Sequence, residues 1–471
     1  MALPDFSRTL LTPLALALAL LGGCVNLAPD YQRPEAPVAE QWPTASAKTS
    51  SVNAADIGWQ QFFVEPRLQQ VVALALSNNR DLRVAALNID KARAAYRIQD
   101  AERYPAINAT ASNSRERSVT SSGTTTSGSQ SVQVGFSSYE LDFFGRLRNL
   151  SEASLQDYFA LQETQRSTQI SLVAEVANAW LTLAADKQHL ALAQETYQSQ
   201  QLSYGLLERS HALGGRSGLE LSQQQSSVQS ARVDVASYSA QVQQDRNALE
   251  LLLGTSLPDS LLPDDKPVTN AAQLLDVPAE LPSSVLQQRP DVLAAEHSLQ
   301  AANADIGAAR AAFFPSISLT AQAGTASTSL SGLFSGGSGV WSFAPSLNLP
   351  IFNAGSNQAS LDSAKAERDI QVATYEKAVQ TAFKEVADAL AQRSTLAEQQ
   401  AAQQALTDAT QKSYELSQAL FNAGAQGYLD VLDAQRSLYS AQQDLITLGL
   451  SEQSNRISLY KVLGGGWKKG A

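Results

Sequence analysis

The stretch VWSFAPSLNLPIF, residues 340–352, alternates Trp341, Phe343, Pro345, Leu347, Leu349 and Ile351 with Ser342, Ala344, Ser346 and Asn348. A period of two gives a strand one apolar face and one face of small or polar side chains. Such a strand suits the boundary between hydrocarbon and water; taken alone, it also suits a soluble hairpin. Just upstream, SISLTAQAGTA (316–326) puts Ile317, Leu319, Ala321 and Ala323 on one face in the same way. Earlier in the chain VQVGFSSYELDFF (132–144) alternates less cleanly. The segments SVTSSGTTTSGSQS (118–131) and STSLSGLFSGGSG (327–339) are rich in Ser, Thr and Gly and read as exposed loops at the strand tips.

Outward from these strands, the chain superposes on itself after a shift of 210 residues, with no net gap from residue 81 to 254. Asp81 falls on Asp291, Pro105 on Pro315, Ile107 on Ile317, Glu175-Val176-Ala177 on Glu385-Val386-Ala387, Gly214 on Gly424 and Gly254 on Gly464. The period is far too long for a solenoid, so one architecture contains two pseudo-equivalent halves.

Each half opens with a helical pattern, 68–103 in the first, where Leu68, Val72, Ala75, Leu82, Ala86, Ile89 and Tyr96 share one face. Pro105 ends it, because proline disfavours helix in the residue before it. After the strands comes the proline-free stretch 147–213, with Ile170, Val173, Ala177, Trp180 and Ala184 on one stripe. A continuous helix there would run about 100 Å at ~1.5 Å per residue. HALGGRSG (211–218) and FNAGAQG (421–427) break the two copies, as glycines do at a helix end and chain reversal. The returning helix, 219–253, carries Leu221, Val228, Val235, Val242 and Leu249 at coiled-coil steps of seven. Incoming and returning helices are each half the length of the long one. One repeat is therefore a plank two helices wide, with a β-hairpin at one end and a tight turn at the other.

These patterns divide the chain into repeats at 68–256 and 283–464, a proline-rich connector at 257–282, a leading segment at 24–67 and a tail at 465–471. The apolar run at 10–23 is too short to span a bilayer and reads as part of an export signal covering residues 1–23. Leu21-Gly22-Gly23-Cys24 has the form of a bacterial lipoprotein processing site, which implies cleavage before Cys24 and acylation of it; an ordinary signal followed by an incidental cysteine is the competing reading. No later window approaches 18 consecutive apolar residues, so any membrane crossing is by strands. The net charge of -11 argues against nucleic acid and anionic lipid as partners. His189, His211 and His297 are isolated, and no metal, nucleophile-elbow, P-loop or dinucleotide motif is present. Neither a cofactor nor an enzymatic activity is expected.

Strands in hydrocarbon cannot leave an edge unpaired. Four strands per chain cannot close a barrel; eight, from two chains, would enclose only side chains, whereas twelve, from three chains, leave a lumen. The expected fold is mostly α, a long coiled-coil α-helical barrel continuous with a 12-stranded membrane β-barrel, built by a cyclic homotrimer.

The combination of LGGC, APDYQRPEAPV, DIGWQQFF, NNRDLRVAALN, YELDFFGRLR, QRPDVLAAEH, AARAAFFPSISLTA, LNLPIFNAG, YLDVLDAQRSLY and the closing LGGGW resembles the lipoprotein branch of the TolC-like outer-membrane factors, the branch of OprM. The resemblance runs from about residue 20 to the C-terminus. It implies an outer-membrane exit duct that works with a periplasmic adaptor (membrane fusion protein) and an inner-membrane pump of the resistance-nodulation-division type, in contact with outer-membrane lipid. A duct for secreted protein or metal ions, or a structural lipoprotein without a pore, are the alternatives.

Candidate sites follow from the repeat and the resemblance together. Leu429 and Asp433, four apart on one helix face, match the apolar and acidic rings that close the periplasmic tip in that family; their first-repeat counterparts are Leu219 and Gln223. An i,i+3 pair of Asp433 with Arg436 on a solvated surface is the competing reading. The turns at Gly214, Gly215, Gly424 and Gly427 are the expected adaptor-docking surface, or serve only to reverse the chain. Phe143, Phe144, Trp341, Phe343 and Phe352 suit lipid contact or an aromatic girdle.

Overall fold

A computed structural model describes residues 25–39, 42, 56–121, 123–264, 266–276 and 283–466. Cys24 and the export segment lie outside the described residues, as do residues 467–471 of the tail. In chain order the longer elements are α1 (Pro66–Asn78), α2 (Arg80–Ala101), β1 (Asn108–Thr120), β2 (Gly123–Leu141), α3 (Arg146–Ala212), α4 (Gly218–Leu253), α5 (Pro290–Ala311), β3 (Ser316–Ser327), β4 (Gly339–Asn348), α6 (Ser356–Asn422) and α7 (Tyr428–Val462). The bounds of α2 and α3 recur 210 residues later as those of α5 and α6. The two long helices have 67 residues each.

Two expectations are corrected. The incoming pattern 68–103 is not one helix: it breaks at Asn79, whose backbone is extended (φ -59°, ψ 133°). The Asn79 side chain explains the break. Its Oδ1 accepts from Leu82 N–H at 2.9 Å, and its Nδ2 donates to the Leu252 carbonyl at 2.8 Å, a local alternative to the helix ladder. Arg289, 210 residues on, donates from Nη1 to the Val462 carbonyl at 2.7 Å, the counterpart of Leu252. The second correction concerns residues 118–131, which are almost wholly strand. Only a short turn around Ser121 separates β1 from β2, because β-branched threonines accept the extended backbone. The loop expected at 327–339 is present and contains the 3-10 turn Leu330–Gly332.

The chain divides into two units. One comprises residues up to Glu35, Asn88–Gln162 and Ala294–Glu376. It holds a four-stranded antiparallel sheet in the order β1-β2-β3-β4. The register aligns rows such as Leu141, Ile317 and Leu347, then Phe136, Ala321 and Phe343, then Ala109, Val134, Ala323 and Trp341 on one face. The other face is lined by Ser131, Gln133, Ser318, Thr320, Gln322, Ser342 and Ser346. A bulge between Phe136 and Tyr139, with Ser138 at φ 55°, shifts the phase of β2 and keeps both aromatics on the apolar side. The leading segment packs on this unit: Val25 N–H donates to the Phe143 carbonyl just after β2 at 3.1 Å, and along α5 Asn303 donates to the Pro29 carbonyl at 2.8 Å and Arg33 grips Glu296 through Nε and Nη2 at 2.7 and 2.6 Å.

The other unit comprises Ala36–Leu87, Glu163–Leu293 and residues from Lys377 on. Phe62, Phe63, Leu68, Trp180, Leu249 and Leu253 are fully buried. Tyr460 stacks on Phe62 at 3.9 Å and donates its hydroxyl to the Ile57 carbonyl at 2.6 Å. The connector packs here too, through the Trp180 indole N–H to the Leu261 carbonyl at 3.0 Å and the Arg67 guanidinium to Asp264.

Candidate functional site

Both chain reversals lie in this second unit and share one geometry. Gly214 N–H bonds the His211 carbonyl and Gly215 N–H the Ser210 carbonyl, each at 2.9 Å; Gly424 bonds Phe421 at 3.0 Å and Ala425 bonds Leu420 at 2.9 Å. This is the paired helix-ending arrangement that places a left-handed residue first, and Gly214 (φ 78°) and Gly424 (φ 74°) occupy it. Gly215 and Gly427 are not required by the backbone. Ala425 makes the bond that Gly215 makes. Gly427 sits at φ -73° as the N-cap of α7, where the first repeat uses Ser217 in a capping box with Glu220.

The start of α7 has two contrasting faces. Tyr428, Val431 and Leu432 are buried with Leu207, against Leu221, Tyr414 and Phe421. Leu429 is half exposed at 51%. Asp433 and Arg436 are exposed and 3.6 Å apart, so the ion pair weighed from sequence does form; at such an exposed site it contributes little. It leaves Leu429 and Asp433 on one open face.

Two features were missed in the sequence. The Tyr428 hydroxyl donates to Gln224 Oε1, and Gln224, with no exposed surface (0%), donates to the Gln200 carbonyl at 2.8 Å and to Gln200 Oε1 at 2.7 Å. Burial pushes the Tyr428 hydroxyl up to about 12. This chain of bonds ties α7 to both α3 and α4. In addition, the Arg216 guanidinium lies 4.3 Å from the Phe421 ring centre, joining the two turns by a cation–π contact. A glutamine among many glutamines carries no sequence signal. The shift that aligns the repeats carries Gln224 onto Ala434 and Tyr428 onto Gly218, so the bond occurs once per chain.

The aromatic positions divide. Trp341 (79% exposed) and Phe343 (60%) stand on the apolar face of β4. Phe143 and Phe144 lie beyond the end of β2, where Phe144 stacks on Phe314 at 4.6 Å, and Phe352 lies beyond β4, 89% exposed. They are outside the strands because β2 and β4 end at Leu141 and Asn348.

A sheet with one apolar and one hydroxyl-lined face, two unpaired edges, and paired 67-residue helices ending in glycine turns are the parts expected of an outer-membrane channel subunit. The family model described as "Outer membrane efflux protein" matches residues 71–255 and again 281–465, and the chain belongs to that family. It is 52% identical over 466 residues, 97% of this chain and 96% of the relative, to the toluene efflux pump outer membrane protein TtgC of Pseudomonas putida. It is 45% identical over 465 residues, 98% and 99% of the two chains, to the cation efflux system protein CusC of Escherichia coli. It is similar in structure to the open state of the MtrE outer membrane channel of Neisseria gonorrhoeae, with a TM-score of 0.88, 40% identity, and coverage of 95% of this chain and 100% of that one. The chain is accordingly an outer-membrane efflux channel, a homotrimer of helical barrel and β-barrel that extends into the periplasm.

Proposed function

We propose that this chain is the passive exit duct of a tripartite efflux system, receiving cargo from a periplasmic adaptor and a resistance-nodulation-division pump and performing no chemistry on it. The full-length similarity to a toluene efflux pump outer membrane protein carries this reading. Organic solvents and antibiotics are the proposed cargo. A metal-ion duct is the second reading, favoured by the CusC relative, but the sequence has one methionine and three histidines, few soft ligands for such a role.

In this reading Leu429 and Asp433 project from the exposed face of α7 toward the channel axis. Three copies of each would narrow the periplasmic opening, and the carboxylate ring would attract cations and repel anions. The two turns, clasped by Arg216 over Phe421, are the adaptor-docking surface. Trp341 and Phe343 contact lipid, Phe143, Phe144 and Phe352 lie at its interface, and acylated Cys24 adds a second hold on the membrane. The test is a deletion strain: accumulation of toluene, a dye and an antibiotic should rise and return to normal on complementation. Accumulation unchanged for all three, with copper or silver sensitivity instead, would transfer the assignment to the metal-ion reading.

A further inference from the structure

The apolar side of the sheet carries two cations and no anion. In the register of β1 on β2, Ala109, Ala111, Asn113, Arg115, Arg117 and Val119 share one face, which continues into the apolar rows of β2, β3 and β4. The other charged residues of these strands, Glu116 and Glu140, fall on the hydroxyl-lined face. Charge is thus sorted by side, with both arginines toward lipid and both glutamates toward the lumen.

The arginines also stand at a defined height. The apolar rows run from Ile317 to Thr325 along β3, within the ~9–11 residues of a tilted membrane strand. Beyond them the same face turns polar at Asn113 and Gln130, and Arg115 and Arg117 follow. Both are exposed, and neither makes an ion pair with a described residue. β1 begins shortly after α2 and carries the arginines away from it toward the turn at Ser121. With the helices in the periplasm, that end of the strand meets the outer leaflet.

We propose that Arg115 and Arg117 form a binding rim for the phosphate groups of the outer-leaflet glycolipid. A guanidinium presents a planar fork that bonds phosphate through two parallel N–H donors, and is more weakly hydrated than an ammonium. At the edge of hydrocarbon the pairing is screened less than in bulk water. The trimer presents the pair three times around the barrel. The whole-chain charge of -11, which argued against anionic lipid, is outweighed locally because no acid shares this face of the strands.

The test is native mass spectrometry of detergent-released trimers with bisphosphorylated lipid A. Unaltered trimers should retain it. R115Q/R117Q trimers should lose retention at least about tenfold, and R115K/R117K, which keeps charge without the fork, should fall between. Equal retention by unaltered and R115Q/R117Q trimers overturns the proposal. If R115Q/R117Q does not assemble, unaltered trimers decide it: lipid A stripped of its phosphates should be retained about tenfold less, and equal retention overturns the proposal. Phosphatidylglycerol held as tightly as lipid A would overturn the assignment to the glycolipid.

Discussion

Replacing Tyr428 by phenylalanine removes one hydroxyl from the start of α7 and keeps the ring among Leu207, Val431 and Leu432. Gln224 still donates to Gln200, but its own oxygen, in a residue with no exposed surface, loses its donor. Such a bond contributes ~1 kcal/mol net, and a stranded buried acceptor costs ~1–3 kcal/mol. The bond holds the helix that bears Leu429 and Asp433 against α4, so its loss favours any state in which that helix has moved. If the three copies move independently, ~1 kcal/mol raises the open-to-closed ratio about fivefold. If they move together, ~3 kcal/mol per trimer raises it about 150-fold. Single-channel recording of Tyr428→Phe trimers in planar bilayers measures that ratio directly. An open probability equal to that of unaltered trimers, accompanied by a lower melting temperature, would show that the bond serves packing alone and refute this reasoning.

Two further outcomes concern stability. Gly254 has φ 69°, and a Cβ there would lie 2.5 Å from the Asn78 carbonyl oxygen, whereas Gly214 has φ 78° with nothing within 4 Å. Gly214→Ala should cost only the ~1 kcal/mol of left-handed strain and Gly254→Ala several kcal/mol more; equal melting temperatures would contradict the contact. The carboxyl of Asp186 is pushed up to about 7, chiefly by burial and then by the neighbouring Asp245. Folding therefore favours its protonated form, and the stability this contributes is lost as pH rises through about 7. Between about pH 4 and about pH 7 this contribution should make the melting temperature fall more steeply in the unaltered protein than in Asp186→Asn; identical slopes would remove Asp186 as the cause.

Much of the architecture is legible because it is periodic. Period two placed β3 and the start of β4, and proline-free length placed α3 to within a residue. The misreadings arise where a single side chain overrides the pattern. Asn79 caps a new helix inside an apparently continuous one, and the bulge at Ser138 is the reason VQVGFSSYELDFF alternates poorly. The threonines of β2 looked like loop because composition does not reveal a partner strand. In the candidate gate, Leu429 and Asp433 follow from helix spacing and resemblance. The Tyr428–Gln224–Gln200 chain does not, since its members are distant in sequence and polar like their neighbours.

The gate is tested most directly by the conductance of trimers carrying Leu429→Ala and Asp433→Ala together. If these side chains form the narrowest ring at the periplasmic end, the double variant must conduct markedly more than the unaltered channel and lose part of its cation preference. Conductance and ion preference that both match the unaltered channel would place the constriction elsewhere.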